Sequence, residues 1–552
     1  MNASLIESKP AFNSSLQYFI LISSVIIGFN LIINSFPIKK AVQAISAVKS
    51  GQPKECKPQG WFVVNMASTG CGKTIANAKI MQALSDRGES LRFTLALGLR
   101  TLTLQTGDEY RERIGLGTDE LAVLIGSAVV QELHEKRKEN NEVNDIDYDA
   151  MGSESMEALL DEELLFDGAP TADFLEAIIP KNKEAKNTAF LYAPVLVCTI
   201  DHMMAATETT RGGKYILPSL RLLSSDLVID EVDDFGEKDL IAIGRLIHLA
   251  GMLGRKVMIS AATIPPALAE GFFNAYQAGW CLHQQFMDAS PQINCAWVDE
   301  FSTVIKPIAS AVDDTPRKDY EQHHLSVISK RAEELKKQPI KRKGVITQCN
   351  ELYESGDENQ DKGSSGQQQQ YFAHMQSAAL ALHEQHHMVD EATGKKVSFG
   401  VMRVANIPPC VALTQYLMQS DWPENFAPKI MAYHSRQVLL LRSVQEHHLD
   451  TVLKRKEPKG DTPKVFENAV IRQHLDHAAQ ENVLFILVAT PVEEVGRDHD
   501  FDWAVIEPSS YRSIIQLAGR VRRHRTWAVE QPNIAVMQYN LKALRQNSQP
   551  AF

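Results

Sequence analysis

The sequence contains little cysteine and none in a paired spacing. Its seven cysteines are spread over 552 residues, and no Cys-x-x-Cys occurs. This spacing excludes zinc ribbons and disulfide-stapled folds, and it favours a reducing, cytoplasmic compartment. With 44% hydrophobic and 23% charged residues, the chain has the composition of an ordinary globular protein of two to four domains.

One apolar run lies near the N-terminus, at residues 16–33. Its length is at the lower limit for crossing a bilayer, and it contains Gln17, Ser23, Ser24 and Asn30. No small-residue cleavage site follows it, which disfavours a signal peptide. A membrane span and an aberrant start on a chain that lost its natural N-terminus both stay open, and we expect no membrane partner.

The net charge of −11 at first disfavours a nucleic-acid partner. Residues 132–176 hold fifteen Asp and Glu against three Lys and Arg, a local net charge of −12. The rest of the chain is therefore about +1 (−11 minus −12), with basic clusters at 336–343, 454–456 and 520–525. A basic cluster is also what an ordinary solvated surface contains, so the charge alone leaves nucleic-acid binding open.

Strand-like and helix-like runs alternate twice along the chain. The first series includes "WFVVNM", "VLVCTI" and "DLVIDE", and the second includes "VSFGVMRVAN" and "VLFILVATP". This alternation predicts an α/β fold of two RecA-like domains with parallel sheets. The predicted divisions are an N-terminal apolar segment and lead-in (1–58), a first domain (59–290) with an acidic insert (132–176), and a second domain (291–552) with a flexible polar insert (355–370).

The stretch "NMASTGCGKT" (65–74) follows one strand-like run and precedes a helix-like run. In such a turn, backbone N–H groups and the positive end of the helix converge on phosphate oxygens. Lys73 is predicted to reach the β- and γ-phosphates of ATP, and the Thr74 hydroxyl to hold Mg²⁺. Ala67 in place of the usual first glycine is the A-x-x-G-x-G-K-T variant common in helicases. The predicted nucleotide-binding residues are Thr69, Gly70, Cys71, Gly72, Lys73 and Thr74.

Two further strand ends carry residues that suit ATP hydrolysis. "DLVIDEVDD" (226–234) ends on Asp230, predicted to hold Mg²⁺ through its water shell, and on Glu231, predicted to orient the attacking water. "ISAATIPP" (259–266) stands where helicases couple the nucleotide site to the nucleic-acid site. Taken alone, the first string is also compatible with a solvated loop and the second with a strand-to-loop junction.

Near the C-terminus, "SIIQLAGRVRRHR" (513–525) has the spacing Q-x-x-G-R-x-x-R. Here Gln516 is a further predicted catalytic residue. On a helix, Arg520 and Arg523 are one turn apart and face the same way. Two guanidinium groups brought from a second domain to the γ-phosphate form an arginine-finger arrangement, which couples hydrolysis to domain closure.

Polar residues after four other strand-like runs are the predicted nucleic-acid contacts. Such contacts go to phosphates, which position a strand without reading its sequence. The predicted residues are Arg100, Thr101, Thr199 and His202 in the first domain, and Thr490 with the Glu494/Gly496 turn in the second.

The complete motif set resembles a known family. "MASTGCGKTIANAKIMQAL", "LALGLRTLTLQTGDEYR", "CTIDH", "YHSR" and "ATPVEEVGRDHDFDWAVIEPSSYRSIIQLAGRVRRHR" are similar to the CRISPR-associated helicase-nuclease of type I systems, type I-F branch. The similarity covers residues 58–552. It implies an enzyme that a guide-RNA surveillance complex recruits to the single-stranded DNA of an R-loop, which the enzyme reels in and degrades.

The chain also departs from that family. Members carry an HD-type metal nuclease domain before the helicase and continue into a C-terminal accessory domain. Only 58 residues precede the predicted first domain here, so we expect a helicase core that relies on a separate nuclease subunit. The alternatives are a non-catalytic remnant that binds nucleotide or DNA, and a general RNA or repair helicase. The histidine pairs at 323–324, 386–387 and 447–448 are predicted surface residues.

Overall fold

Two α/β units make up the chain in a computed structural model, Met1–Lys336 and Lys337–Phe552. The structure describes residues 36–51, 57–68, 71–85, 91–98, 100–125, 184–207, 215–232, 235–262, 264–354, 363–457, 460, 462–494 and 498–544.

The first unit is built on an eight-stranded sheet in the order β3-β4-β2-β5-β6-β1-β7-β8. Every neighbouring pair is parallel except β7 and β8, which form an antiparallel edge. The strands are β1 (Gly60–Asn65), β2 (Phe93–Leu97), β3 (Leu121–Leu124), β4 (Val195–Thr199), β5 (Asp226–Asp230), β6 (Val257–Ser260), β7 (Gln292–Val298) and β8 (Thr303–Ala309).

Side chains of this sheet enter two separate apolar cores because successive residues of a strand point to opposite faces. In β1, Phe62 and Val64 belong to one core, and Trp61 and Val63 belong to the other. The α-helices of the unit are Phe36–Ser50, Lys73–Leu84, Arg100–Glu109, Glu184–Tyr192, Asp201–Met204, Ile216–Ser224, Glu237–Met252, Pro266–Phe286 and Thr315–Lys336, with a π-helical turn at Tyr110–Ile114 and a 3₁₀ turn at Ala205–Thr207.

The second unit has a parallel sheet in the order β12-β13-β11-β14-β15-β9, and β10 pairs antiparallel with β11. Its strands are β9 (Gly344–Thr347), β10 (Met388–Val389), β11 (Lys396–Arg403), β12 (Phe426–Tyr433), β13 (Asn482–Ala489), β14 (Trp503–Ile506) and β15 (Ile534–Met537). Its α-helices are Asn350–Glu354, Gly363–His386, Ile407–Gln419, Leu439–Leu453, Ala469–His477, Tyr511–Ala518 and Leu541–Leu544, with 3₁₀ turns at Lys464–Glu467 and Pro491–Glu493.

The predicted α/β class with parallel sheets is confirmed, and the strand-like runs of both series are strands. The structure nevertheless divides the chain between Lys336 and Lys337, not at the predicted 290/291. The reason is that β7 and β8 extend the first sheet: β7 pairs with β1 in parallel. Part of the predicted N-terminal segment also packs on this unit, since Ile38 and Ile45 lie in one of its cores.

Other predictions fall outside the described residues, namely those on the apolar run 16–33 and the acidic insert 132–176. The polar insert was predicted to be flexible up to residue 370, but from Gly363 onwards it is part of the helix Gly363–His386. In the part of the chain that the structure describes, no helix is long and apolar enough to cross a membrane.

Candidate nucleotide and nucleic-acid site

The carboxyl ends of three neighbouring strands bring the nucleotide motifs of the first unit together. In the sheet register, Ser260 at the end of β6 lies beside Asn65 at the end of β1 and beside Asp230 at the end of β5. Asn77 connects two of these ends: its Oδ1 accepts from Asn65 Nδ2 at 2.7 Å, and its Nδ2 donates to Ser260 Oγ at 3.2 Å. The motif residues are therefore held by the sheet and by buried amide groups.

The phosphate loop leads directly into the helix Lys73–Leu84. Gly72 precedes this helix with φ of 80°, a left-handed conformation that glycine adopts without steric cost. A Cβ at Gly72 would meet no atom within 4 Å, so the space above the loop is open there. Thr69 and Gly70 lie outside the described residues, whereas Cys71 is exposed and Thr74 is half-buried.

Lys73 and Glu231 form an ion pair at the start of that helix. Lys73 Nζ lies 2.8 Å from Glu231 Oε1, and the lysine is 8% exposed. Glu231 has φ of 48°, one of two described non-glycine residues with positive φ. Such a backbone costs on the order of 1–3 kcal/mol and occurs preferentially at functional sites. The two predicted catalytic side chains are thus adjacent.

Asp230 is a buried carboxylate beside this pair. Burial raises its pKa to about 6, the Lys73 ammonium acts in the opposite direction, and Glu231 adds to the rise. Its Oδ1 accepts from the Glu231 backbone N–H at 3.0 Å. A buried carboxylate with a raised pKa gains from a nearby cation, as expected of an indirect Mg²⁺ ligand.

The predicted nucleic-acid residues of the first unit also follow carboxyl ends of its strands. Arg100 and Thr101 begin the helix Arg100–Glu109 after β2. Thr199 is the last residue of β4, and its Oγ1 lies 3.1 Å from Nδ1 of His202, which is half-buried. The sheet therefore places these four residues at the same edge as the nucleotide motifs.

In the second unit, Glu494 takes part in an internal ion pair. Its Oε1 accepts from Arg403 Nε at 2.6 Å and also from Ser513 Oγ. The side chain of Glu494 is 6% exposed and that of Arg403 is 1% exposed. Burial raises the pKa of Glu494, although Arg403 and Ser513 lower it. The predicted direct grip of Glu494 on a DNA strand does not fit this burial. Thr490 is also buried, and Gly496 lies outside the described residues.

The predicted helix through both arginines of the Q-x-x-G-R-x-x-R motif is wrong. The helix Tyr511–Ala518 contains Gln516 but ends before Arg520. Val521 instead forms a parallel bridge with Phe501, which turns the chain away from the helical path.

The two arginines have separate partners within the second unit. Arg520 Nη2 donates to the Glu494 carbonyl at 2.8 Å, and Arg523 Nε to Asp498 Oδ1 at 2.8 Å. Nε of Arg342 donates to the Val521 carbonyl at 2.7 Å, which holds the turn from the other side. The turn that carries both arginines is therefore held by contacts with Glu494, Asp498 and Arg342.

The segment "RDHDFD" (497–502) contributes carboxylates and His499 to a cluster of charged side chains within the second unit. Asp502 accepts from Arg455 and Arg525, at 3.0 and 2.7 Å. His499 Nδ1 lies 2.6 Å from Glu493 Oε1. Burial lowers the pKa of His499, but Glu493 and neighbouring carboxylate charge outweigh burial and raise it. These contacts are structural.

One histidine of the three predicted surface pairs is buried. His324, predicted to lie at the surface, is 1% exposed and accepts a hydrogen bond from Trp297 Nε1 at 2.9 Å. Among the residues that the structure describes, no group of three or more His, Cys, Asp and Glu side chains could hold a metal ion.

Comparison with known proteins supports the resemblance found in the motifs. A sequence model of the family described as CRISPR-associated nuclease/helicase Cas3, C-terminal, matches residues 396–526. The chain is 40% identical over 506 residues to the CRISPR-associated nuclease/helicase Cas3 subtype I-F/YPEST of Pseudomonas aeruginosa, and 42% identical over 499 residues to that of Pectobacterium atrosepticum. The chain resembles the subtype I-F branch of the Cas3 family.

These alignments cover 90% and 89% of the chain but only 44% and 43% of the relatives, so the chain spans less than half of their length. The fold is similar to that in a crystal structure of T. fusca Cas3-AMPPNP, with a TM-score of 0.56 and 17% sequence identity. The match covers 98% of this chain and 51% of the T. fusca chain. That likeness shows a shared fold, in agreement with the predicted RecA-like α/β domains.

Proposed function

We propose that the chain is an ATP-dependent core that translocates along single-stranded DNA, or unwinds it, in type I-F CRISPR interference in the cytoplasm. The observation that carries this proposal is the convergence of Lys73, Asp230 and Glu231 at the carboxyl ends of neighbouring parallel strands, where α/β proteins bind their ligands. The single-stranded DNA of an R-loop, a guide-RNA surveillance complex and a separate nuclease subunit are the partners that it includes.

The residues at this site suit Mg²⁺-ATP. The loop offers a helix N-terminus, a left-handed glycine with open space above it, a buried lysine and a threonine. Lys73 would bind the β- and γ-phosphates, and Thr74 with Asp230 would hold Mg²⁺, which neutralises charge on the phosphates. The donor set therefore matches both the anion and the cation.

The Lys73–Glu231 pair suggests how binding prepares hydrolysis. A triphosphate competes with Glu231 for the Lys73 ammonium, because both are anions within reach of the same cation. Once Lys73 has turned to the phosphates, the Glu231 carboxylate can accept a hydrogen bond from water and orient it. The Glu231 backbone N–H donates to Asp230 Oδ1 at 3.0 Å, which ties the Glu231 backbone to the strand end.

We propose that Arg520 and Arg523 supply positive charge to the transferring phosphate during ATP hydrolysis, with Gln516 on the preceding helix. Arg523 would exchange Asp498 for phosphate oxygens, a partner of higher charge. The role of Arg520 depends on the turn that the Glu494 carbonyl stabilises. In this proposal Glu494 affects ATP hydrolysis through its contacts with Arg403 and Arg520, and it does not contact DNA.

The hydrolysis proposal is tested by measuring Mg²⁺-dependent ATP turnover with and without single-stranded DNA. Lys73→Ala should weaken nucleotide binding, and Glu231→Gln should bind ATP but hardly turn it over. Loss of Arg520 or Arg523 should lower turnover by roughly 10³-fold. Lys542→Ala removes an exposed cation of the second unit and should leave turnover unchanged. Unaltered turnover in both arginine variants would contradict the proposed site.

The nucleic-acid proposal is tested by binding titrations over a range of salt concentrations. Contacts from Arg100, Thr101 and His202 would go to phosphates. Thr199 and Thr490, which are 2% and 5% exposed, are too buried for that role. Arg100→Ala should therefore weaken all sequences equally and reduce the salt slope by about one. A loss confined to particular sequences would rule out a phosphate contact.

A further inference from the structure

A second ion pair, Glu300–Arg331, lies against the phosphate loop. Glu300 follows β7, and Arg331 is on the helix Thr315–Lys336. Arg331 Nε and Nη2 lie 3.2 and 3.3 Å from the two carboxylate oxygens of Glu300, a two-point contact. Their side chains are only 14% and 10% exposed, so solvent screens the pair weakly.

Ser68 connects this pair to the phosphate loop. Its hydroxyl donates to Glu300 Oε1 at 2.6 Å and accepts from Arg331 Nη2 at 3.1 Å. Ser68 immediately precedes the predicted nucleotide-binding residues. Its position is thus determined by two charged side chains from elsewhere in the first unit.

Arg331 also reaches the end of β6, where the string "ISAATIPP" (259–266) contains the "SAAT" segment, residues 260–263. Its Nη1 donates to the Ala262 carbonyl at 3.4 Å. One guanidinium group therefore contacts both the phosphate loop, through Ser68, and the segment after β6. Glu300 is held firmly in turn, since the buried Asp299 accepts from the backbone N–H groups of Phe301 and Ser302 at 2.7 and 2.6 Å.

We propose that Glu300 and Arg331 are positioning residues for ATP binding and for its coupling to DNA. Arg331 neutralises a carboxylate that would otherwise repel the phosphates, and it links the phosphate loop to the "SAAT" segment. This inference rests on the proposed ATP-dependent function.

The positive charge of Arg331 and the planar shape of its guanidinium group make separable contributions to ATP binding and to its coupling to DNA. Without Arg331, the Glu300 carboxylate stands beside the phosphate loop with no counter-charge. At partial burial, such repulsion over several ångströms is worth on the order of a tenfold change in affinity. A lysine at 331 would restore the charge but not the planar guanidinium that reaches Glu300, Ser68 and Ala262 together.

The test is a double-mutant cycle read by the affinity for a fluorescent ATP analogue with Mg²⁺. Arg331→Ala should weaken binding about tenfold, whereas Glu300→Gln alone should leave the affinity within about twofold of wild type. Adding Glu300→Gln to Arg331→Ala should restore the affinity. Equal affinities of the single Arg331→Ala variant and the double variant would overturn the proposal.

The coupling part is read from the stimulation of kcat by single-stranded DNA. Arg331→Lys should recover most of the nucleotide affinity but keep a reduced stimulation by DNA. Arg317→Ala is the matched control, since Arg317 is on the same helix as Arg331. Its side chain is 58% exposed and pairs with Glu270 of the helix Pro266–Phe286. Arg317→Ala should change neither readout. If single-stranded DNA stimulated the kcat of Arg331→Lys as much as that of the wild type, the proposed role of Arg331 in coupling would be wrong.

A replacement variant and the ATP binding of the wild-type chain complete the test. If Arg331→Ala does not fold, judged by its circular dichroism, Ser68→Ala replaces it, since that change deletes one hydroxyl and no charge. Ser68→Ala should weaken binding about threefold, and unchanged affinity would refute the positioning role. A wild-type chain that binds no ATP would disprove the proposed function itself, whereas ATP binding that is the same in all variants would disprove only this inference.

Discussion

Replacing Arg403 by leucine should strongly destabilise the second unit. Arg403 ends β11, is 1% exposed, and donates to Glu494 at 2.6 Å and to the Glu507 carbonyl at 2.8 Å, as well as to two serine hydroxyls. Its removal leaves the Glu494 carboxylate buried without a counter-charge. Breaking a buried ion pair from one side costs about 3–5 kcal/mol.

The loss of stability caused by Arg403→Leu should depend on pH. Burial already raises the pKa of Glu494, and without Arg403 it rises further. A carboxyl with a raised pKa in the folded state favours folding below its unfolded pKa, and this contribution is lost as pH rises through the folded value. The variant should therefore recover part of its stability as the pH is lowered from 8 towards 5, by about 1.4 kcal/mol for each unit of pKa shift.

Amide hydrogen exchange in β11 and β13 is the suitable assay, because a chain of two units does not melt in one two-state transition. Adding Glu494→Gln to Arg403→Leu should recover much of the lost protection at pH 8. Arg436→Leu, at an exposed position of the same unit, should leave exchange unchanged. The reasoning is refuted if Arg403→Leu loses less than about 1 kcal/mol at pH 8, or if its loss responds to neither pH nor Glu494→Gln.

Three other predictions follow. Mg²⁺-dependent binding of ATP should weaken as pH falls through about 6, where burial places the pKa of Asp230, and a pH-independent Mg²⁺ titration would contradict the assignment. The raised pKa of His499 beside Glu493 stabilises the fold below pH 6.5 and less as pH rises further, so His499→Gln should flatten the pH dependence of exchange in β13. Gly279→Ala should destabilise by about 1–3 kcal/mol or more, because its Cβ would meet a backbone carbonyl of the neighbouring helix at 2.0 Å. Gly271→Ala on the same helix meets nothing within 4 Å and should be neutral to slightly stabilising, with both changes measured by amide hydrogen exchange in that helix.

Much of the fold and of the nucleotide site could be predicted from the sequence because their determinants are local. A buried parallel strand is a short apolar run, and the phosphate loop is a contiguous string before a helix. Lys73, Asp230 and Glu231 each follow such a run, and parallel strands end at one edge of a sheet. Their proximity therefore follows from the fold class.

Other features depend on pairings that no local pattern records. Ser68 and Glu300 are 232 residues apart, and Arg403 and Glu494 are 91 apart. An arginine that ends up buried against a distant carboxylate has the same local surroundings in sequence as one that is solvated. These contacts could therefore be identified only from the folded structure.

The sequence by itself determined the two parallel sheets, the phosphate loop and the acidic strand end, since hydrophobic periodicity and contiguous motifs specify them. Only the tertiary structure decided that β7 and β8 complete the first sheet and that the helix containing Gln516 ends at Ala518, before the two arginines of the motif. The residues after Ala518 are compatible with a continued helix, but the bridge between Val521 and Phe501 takes their backbone groups into another arrangement. Long-range pairing of this kind outweighs a local helical preference, because it satisfies the same hydrogen-bonding groups while burying the chain against the rest of the unit.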